Sequence, residues 1–453
     1  MKRKIVLIGA GSVVFTQGLV MDMIKSPGGI SWELALVDID HNALDVAARL
    51  VKKMIESKEA DITLSYSTDR RDVLADADYV VSTIGVGGRR AWEKDVYIPR
   101  KYGIFQPVGD SVMPGGISRA MRMIPATLGI VDDIMKLCPD AFFFNYSNPM
   151  NYICRAVKKA RGFPVTGLCH GLNWTEGYLA HFAGYDRKRL TSYGVGLNHL
   201  TFIYDLRYDG KDAWPVIRER LEKAKSIGID YASINSVWGA GMEDVNGLTD
   251  PLSWELFEDL GAFPAPGDRH VSEYFADRFP GGKFYGYTLG VDAYMFDKCI
   301  ESGDEGYDEM SRLACSPEPL PEEYFQHFGG EHEQLVDIIA SIEKDERKVF
   351  YANVQNHQAV PNLPEYSILE MPAVASAKGI IPIQLRDFPD TLAAIVLKHA
   401  AISEIVVEAA LKGSRKLFAE AILMGGYTHD RNDVAKMVDE LLESHKDYLP
   451  QFK

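Results

Sequence analysis

The chain has 453 residues, 46% of them hydrophobic and 25% charged, with a formal net charge of −15. That length calls for two or three lobes around a large core, and the acidic balance argues against nucleic acid or an anionic membrane as a partner. No stretch of about 18 apolar residues occurs, so no membrane-spanning helix is expected.

In chain order, Lys4-Ile-Val-Leu-Ile8 reads as a fully buried strand. It is too short, and too soon interrupted by Gly9-Ala-Gly11, for a secretion signal. After Ser12, Val13–Asp22 reads as helical, and Trp32–Val37 as a second strand ending in Asp38. His41–Lys58 is a strong amphipathic helix with Leu44, Ala47, Ala48, Val51 and Ile55 on one stripe. A βαβ unit with glycines in its first turn and an acid at the tip of its second strand suits a dinucleotide. The glycines allow close approach to a pyrophosphate, and Asp38 accepts from ribose hydroxyls. Gly9, Gly11, Ser12 and Asp38 are the cofactor candidates, and Asp38 favours NAD over NADP. The fingerprint is incomplete: Val14 stands where a third glycine is expected.

Asp78–Ile84 is another buried strand, ending in Gly85-Val-Gly-Gly88, so Gly85 and Gly87 join the cofactor candidates. The following Arg89 and Arg90 suit a phosphate or an acidic substrate, or are simply solvated. Gln106–Gly116 reads as a Gly/Pro loop leading into a long helix, Ile117–Leu137. Within the loop, Asp110 is either a turn residue or a proton donor beside the cofactor. Ala141–Asn145 is a strand, and Asn148 and Asn151 bracket a helix start at its carboxyl end, where α/β sheets place ligands.

Phe163–Leu168 reads as a short strand leading into Cys169-His170, and Gly196-Leu-Asn-His199 follows thirty positions later. A thiolate and an imidazole are both transition-metal ligands. Two protein ligands would leave coordination positions open for substrate oxygens. The alternative is a buried cysteine and a satisfied histidine. The other cysteines, Cys138, Cys154, Cys299 and Cys315, are widely scattered, which indicates a reducing cytoplasm rather than a disulfide framework.

Beyond His199 the character changes. Thr201–Gly210 reads as an antiparallel strand and turn, Pro215–Ser226 as a helix, and Gly267-Asp-Arg-His270 as a dense polar cluster. Cys299–Gly330 reads as an acidic surface excursion, Glu331–Lys348 as a helix, Val354–Pro364 as irregular, Ile368–Met371 as a short strand and Thr391–Lys412 as a long apolar helix. The expected fold is α/β: a Rossmann-like NAD-binding domain over 1–197, of malate/lactate dehydrogenase type, and a mixed α+β substrate, metal and dimerisation domain over 198–453.

Taken together, Ile8-Gly-Ala-Gly-Ser12, Gly87-Gly88, Val108-Gly-Asp-Ser111, Pro114-Gly-Gly116, Asn148-Pro-Met-Asn151, Cys169-His170-Gly171, Gly196-Leu-Asn-His199 and Asn362-Leu-Pro364 resemble glycoside hydrolase family 4. These are NAD- and metal-dependent glycosidases. The malate and lactate dehydrogenases share the fold but lack the Cys-His pair. The resemblance implies redox-assisted elimination rather than the two-carboxylate mechanism of most glycosidases. NAD⁺ takes hydride from C3, a base removes the acidified C2 proton, the glycosidic oxygen leaves, water adds, and the hydride returns. It further implies Mn²⁺ or another divalent metal on Cys169 and His199, Asp110 as general acid, and Asn148 and Asn151 on sugar hydroxyls. Asp268 or a metal-bound water becomes the base, because no tyrosine occurs in Trp254–Gly261, and Arg269 and His270 become substrate contacts. Gly171 resembles members acting on unphosphorylated α-uronides, α-galacturonides first. A uronate carboxylate would pair with Arg89, Arg90, Arg119 or Arg269. The expected substrate is a small glycoside or oligosaccharide containing uronic acid, and the expected assembly a cytoplasmic homodimer or homotetramer. An α-glucuronidase, an α-galactosidase or α-glucosidase, and a plain NAD-dependent hydroxy-acid dehydrogenase are the alternatives.

Overall fold

The structure, a computed structural model, describes residues 1–25, 29–237, 247–327 and 334–452. Six parallel strands form its N-terminal half: β1 (Lys2–Ile8), β2 (Ser31–Val37), β3 (Ile62–Ser67), β4 (Tyr79–Ser82), β5 (Phe142–Asn145) and β6 (Thr166–Gly167). Their spatial order is 3-2-1-4-5-6, the doubly wound dinucleotide-binding arrangement. The near-continuous apolar runs of β1, β2 and β4 follow from burial on both faces.

The helices between these strands have local causes. After β1 comes α1 (Phe15–Lys25) and after β2 comes α2 (His41–Ser57). Asp40 caps α2 by accepting from the Asn42 and Ala43 amides at 2.9 and 3.2 Å, a contribution of about 1 kcal/mol. Leu44, Ala47, Ala48 and Val51 are buried as the stripe requires, while Ile55 is half-buried. Because α1 begins only at Phe15, Val14 lies in the preceding turn and is 55% exposed, so no third glycine is needed there.

The sheet does not stop at β6. Lys348–Gln355 pairs antiparallel with β6, Ile368–Ser376 pairs with that strand, and β7 (Leu190–Leu197) pairs with Ile368–Ser376. Next come β8 (Leu200–Tyr208) and Phe263–Ala265; with Gly379–Pro382 beside Ile368–Ser376 and Lys211–Asp212 beside β8, the sheet has thirteen strands among the described residues. The division expected at 197/198 falls inside the β7–β8 hairpin, and the sheet is continuous across it.

Several elements differ from their sequence reading. The strand at Phe163–Leu168 is only β6, and Ile368–Met371 extends to Ser376. Val354 and Gln355 end a strand rather than opening an irregular stretch. The supposed surface excursion is mostly helical, with helices at Phe296–Cys315 and Glu322–His327. Phe296, Cys299, Ile300, Met310 and Ala314 form its buried stripe beneath an acidic outer face. The helix expected from Glu331 is Leu335–Lys344, while the expected boundary at 330/331 lies outside the described residues. Among the described residues, no helix is long and apolar enough to cross a membrane.

Candidate active site

At the carboxyl edge of the parallel strands lies a cavity of about 650 Å³. It is lined by Gly9 after β1, Asp38 and Ile39 at the tip of β2, Thr68 after β3, and Gly85 and Gly87 after β4. Asp38 organises the first turn: its Oδ2 accepts from the Gly11 amide at 2.8 Å and its Oδ1 from the Asp40 amide at 3.0 Å. A Cβ on Gly11 would lie 2.8 Å from that same Oδ2 and 2.7 Å from the Ala43 Cβ, so close approach requires glycine here. Ser12 closes the turn, donating from its amide to the Gly9 carbonyl at 3.1 Å. Each Asp38 oxygen accepts one of these bonds and retains capacity for a ribose hydroxyl. Volume, position and acid fit a dinucleotide.

A second locus carries the reactive side chains. The loop before α4 (Met113–Leu137) presents Asp110 and Ser111. This helix starts four residues earlier than its sequence suggests, so Gly115 and Gly116 are helical rather than loop. A Cβ on Gly116 would lie 2.4 Å from the Ser111 carbonyl carbon, so the glycine lets the loop press against the helix start. His199 sits in the two-residue β7–β8 turn at φ 70°, and His270 on the short helix Asp268–Tyr274. Candidate ligand atoms of Asp110, His199 and His270 all lie within 4.8 Å of one another, and the two imidazole centroids are 4.1 Å apart.

The hydrogen bonds define a tautomer. Ser111 Oγ lies 2.7 Å from Asp110 Oδ1 and 2.8 Å from His199 Nδ1. The hydroxyl has one proton, which the carboxylate takes, so Nδ1–H must donate to Oγ and the Nε2 lone pair is left for a metal. Burial pushes His199 down to about 4, against the pull of Asp110 and with His170 and Arg269 adding to the depression. Burial also holds His270 well below the usual imidazole range, helped by its neighbours His199 and Arg269. Two neutral imidazoles and a carboxylate form a donor set that fits a divalent transition metal.

The surroundings hold this group in place. Glu273, one helical turn beyond His270, accepts the amides of Val108 and Gly109 on one oxygen at 2.9 and 2.7 Å, clamping the Asp110 loop. Burial raises its carboxyl to about 8, opposed by the Gly109 amide and assisted by the Asp110 charge. Beneath the His199 turn, Thr201 and Asn353 hydrogen-bond the two oxygens of buried Glu370 at 2.7 and 3.1 Å. Burial raises Glu370 to about 7, against the hydrogen bonds from Thr201 and Asn353.

The remaining sequence candidates are distributed unevenly. Asn148 donates to Asp110 Oδ2 at 3.1 Å, while its own side-chain oxygen is buried without a hydrogen-bond partner. The side-chain oxygen of Asn151 is also buried and unmatched, beside a small void shared with Ser111. Arg269 reaches Cys299 Sγ at 3.5 Å and lies close enough to His199 and His270 to depress both. Cys169, half-buried beyond β6, accepts from the Gly171 amide at 3.4 Å; it is not one of the three clustered residues. Arg89 is held at 2.6 Å by Asp304, which Arg90 also contacts, on the Phe296–Cys315 helix. Asp268, read from sequence as a base, has both oxygens taken up by the Leu252 and Ser253 amides and the Ser253 hydroxyl. It anchors the start of the helix Pro251–Leu260 and stands outside the three-residue group. Burial and the neighbouring Asp250 raise it well above the carboxylate range.

Sequence reasoning missed Ser111 and Glu273. The signal for Glu273 was its i+3 spacing from His270 on one helix; for Ser111 it was adjacency to Asp110.

Fold and site together give a doubly wound α/β core whose cleft fits a dinucleotide, beside a metal-competent His/His/Asp group. Models of the family 4 glycosyl hydrolases match residues 4–184, and models of their C-terminal domain match residues 194–426. The chain belongs to this family. It is 30% identical to an α-glucosidase of Erwinia rhapontici, with 100% of both chains covered. It is 29% identical to an α-galacturonidase of Thermoanaerobacterium saccharolyticum, covering 99% of this chain and 97% of that one. Among solved structures, a 6-phospho-α-glucosidase from gut microorganisms in complex with NAD and Mn²⁺ superposes with a TM-score of 0.82 at 16% identity, covering 100% of both chains.

Proposed function

We propose that this protein is an NAD- and divalent-metal-dependent glycosidase that hydrolyses α-linked uronides, α-galacturonides first. One observation carries the reading: a hydrogen-bonded chain runs from Arg119, beside the Gly85 turn of the nucleotide cleft, to the metal-competent group. Arg119 Nη2 lies 3.7 Å from where a Gly85 Cβ would stand, and its Nε donates to the Asn148 carbonyl at 3.0 Å. Asn148 in turn donates to Asp110.

Bound NAD would supply reversible hydride transfer at C3, and a bound divalent metal would stabilise charge on the C2 and C3 oxygens. His199, with its tautomer set by Ser111, and His270 would hold that metal. Asp110, oriented by Ser111 and Asn148, is the proton donor to the departing glycosidic oxygen; it carries that proton on Oδ2, so that Oδ1 still accepts from Ser111 and the His199 tautomer is kept. The unmatched oxygens of Asn148 and Asn151 accept from sugar hydroxyls. Asp38 accepts from the cofactor ribose. Cys169 keeps a place as a metal ligand, because it is only half-buried and its sulfur faces the Gly171 amide at the start of the following helix.

Two things support the uronide. One is the likeness to the α-galacturonidase. The other is Arg119, which among the described residues makes one hydrogen bond, through Nε, so that both terminal nitrogens are available for a carboxylate. The test is release of p-nitrophenol from a panel of α-glycosides with NAD⁺, Mn²⁺ and a thiol present. Galacturonide cleavage that needs both additions is expected. Cleavage of neutral hexosides alone would discard the uronide, and net NADH accumulation without cleavage would make the protein a dehydrogenase.

A further inference from the structure

The cofactor cavity has one wall that its βαβ unit does not supply. Tyr448, in the short turn Lys446–Tyr448, lines it together with Gly9, Asp38 and Gly87. Its ring lies across Gly87: a Cβ there would be 3.0 Å from Tyr448 Cε2 and 3.3 Å from Cζ. We propose that Tyr448 is the aromatic platform for the adenine of the bound dinucleotide, supplied to the nucleotide cleft by a distant segment of the chain. This rests on the reading of the cavity as a cofactor site.

The geometry points to the adenosine half of the ligand. The cavity runs along the tips of β2 and β3, at Asp38, Ile39 and Thr68, where an acid at the strand tip takes the adenosine ribose. Ile39, Val86, Pro125, Ala126 and Ile130 give it apolar walls suited to a flat base. The reacting group of Asp110, His199 and His270 sits at the other locus. A base has a π-face whatever its edge, so an aromatic ring beside an apolar slot favours stacking.

The platform is held rigidly from below. The Tyr448 amide donates to the His445 carbonyl at 2.9 Å, and buried His445 contacts Asp95 Oδ1 through Nε2 at 2.9 Å. Arg122 pairs with Asp95 through Nη1 at 3.0 Å, and its Nε donates to the Val86 carbonyl at 2.9 Å. Gln451 donates to the Met121 carbonyl at 2.6 Å. The segment bearing Tyr448 and the Gly85–Gly88 turn are therefore fixed to one buried Asp–Arg pair, which sets the distance between ring and glycine.

The test is calorimetric binding of NAD⁺, ADP-ribose and nicotinamide mononucleotide to the full chain and to Tyr448→Ala and Tyr448→Phe. We expect Tyr448→Ala to raise Kd for NAD⁺ and ADP-ribose about tenfold or more. Tyr448→Phe should stay within about twofold, because the ring is retained. Nicotinamide mononucleotide binding should not move, and the ligand-free melting midpoint should move little, since the residue is 43% exposed. Unchanged ADP-ribose affinity in Tyr448→Ala, or an equal loss in Tyr448→Phe, would overturn the assignment. A native chain that binds neither NAD⁺ nor ADP-ribose would overturn the cofactor reading, and this inference with it.

Discussion

Glu273 offers the sharpest quantitative test of how the Asp110 loop is held. It is 1% exposed, and a single oxygen, Oε1, accepts both the Val108 and Gly109 amides. That pattern leaves Oε2 to carry a proton, in keeping with a carboxyl raised by burial from 4.5 to about 8. Between those values the folded protein binds a proton that the unfolded chain releases, so stability falls as pH rises through the window. At 1.36 kcal/mol per unit the full effect is roughly 5 kcal/mol, or about 5 °C in melting temperature for a chain of this length. Glu273→Gln keeps the accepting oxygen and removes the titration. The melting temperature of Glu273→Gln minus that of the native chain should therefore grow by about 4 °C between pH 5 and pH 9, read by differential scanning calorimetry. The titrating groups that do not interact with Glu273 are common to both proteins and cancel. A difference that stays flat over this range would show that Glu273 is ionised in the fold and would refute the reasoning. Glu273→Leu should be destabilised at every pH, because two buried amides lose their acceptor at about 1–3 kcal/mol each.

Other perturbations test the site directly. Ser111→Ala releases the His199 tautomer and should weaken Mn²⁺ binding about 10- to 100-fold by calorimetry, while Ser111→Thr keeps it; equal affinity in all three proteins would remove Ser111 from metal binding. Asp110→Asn should lower kcat/KM by about 10²- to 10⁴-fold for glycosides with an alcohol leaving group, and far less for p-nitrophenyl glycosides, which need no proton. An equal loss on both substrates would argue against a proton-donor role. Arg119→Met should lower kcat/KM for a uronide by about 1.5–3 kcal/mol relative to the matching neutral hexoside, and an unchanged ratio would place the carboxylate elsewhere.

What the sequence showed and what it hid divide along a physical line. The β1–α1–β2 unit with Asp38, the amphipathic α2, and the long helix Asp390–Lys412 were legible because each is set by local periodicity and turn chemistry. The strands Lys348–Gln355 and Ile368–Ser376 were only partly legible. They are identified by whom they pair with, and their role is to join β6 to β7 across a long stretch of chain. The helix Phe296–Cys315 was hidden by composition: acidic residues and two glycines dominate a segment whose buried stripe is narrow. Gly303 packs beneath Arg89, where a Cβ would stand 2.9 Å from Arg89 Cδ, a contact invisible before the fold is known.

The candidate site obeys the same division. Asp110, Asn148 and His199 could be marked one by one: Asn148 follows β5, His199 follows β7, and Asp110 is the acid of a Gly/Pro loop. Their convergence with His270 could not, because it depends on the Phe263–Ala265 strand pairing with β8 and delivering the next helix to the His199 turn. The strain tells the same story. A histidine at φ 70° is disfavoured by about 1–2 kcal/mol and does not hold that conformation unaided. Here the turn is bracketed by the Leu197–Leu200 pair, the Glu370 network beneath it and the Ser111 bond to Nδ1. The strain persists because residues from four separate parts of the chain determine where that imidazole points. A local pattern such as Gly196-Leu-Asn-His199 can mark the residue but cannot carry that information.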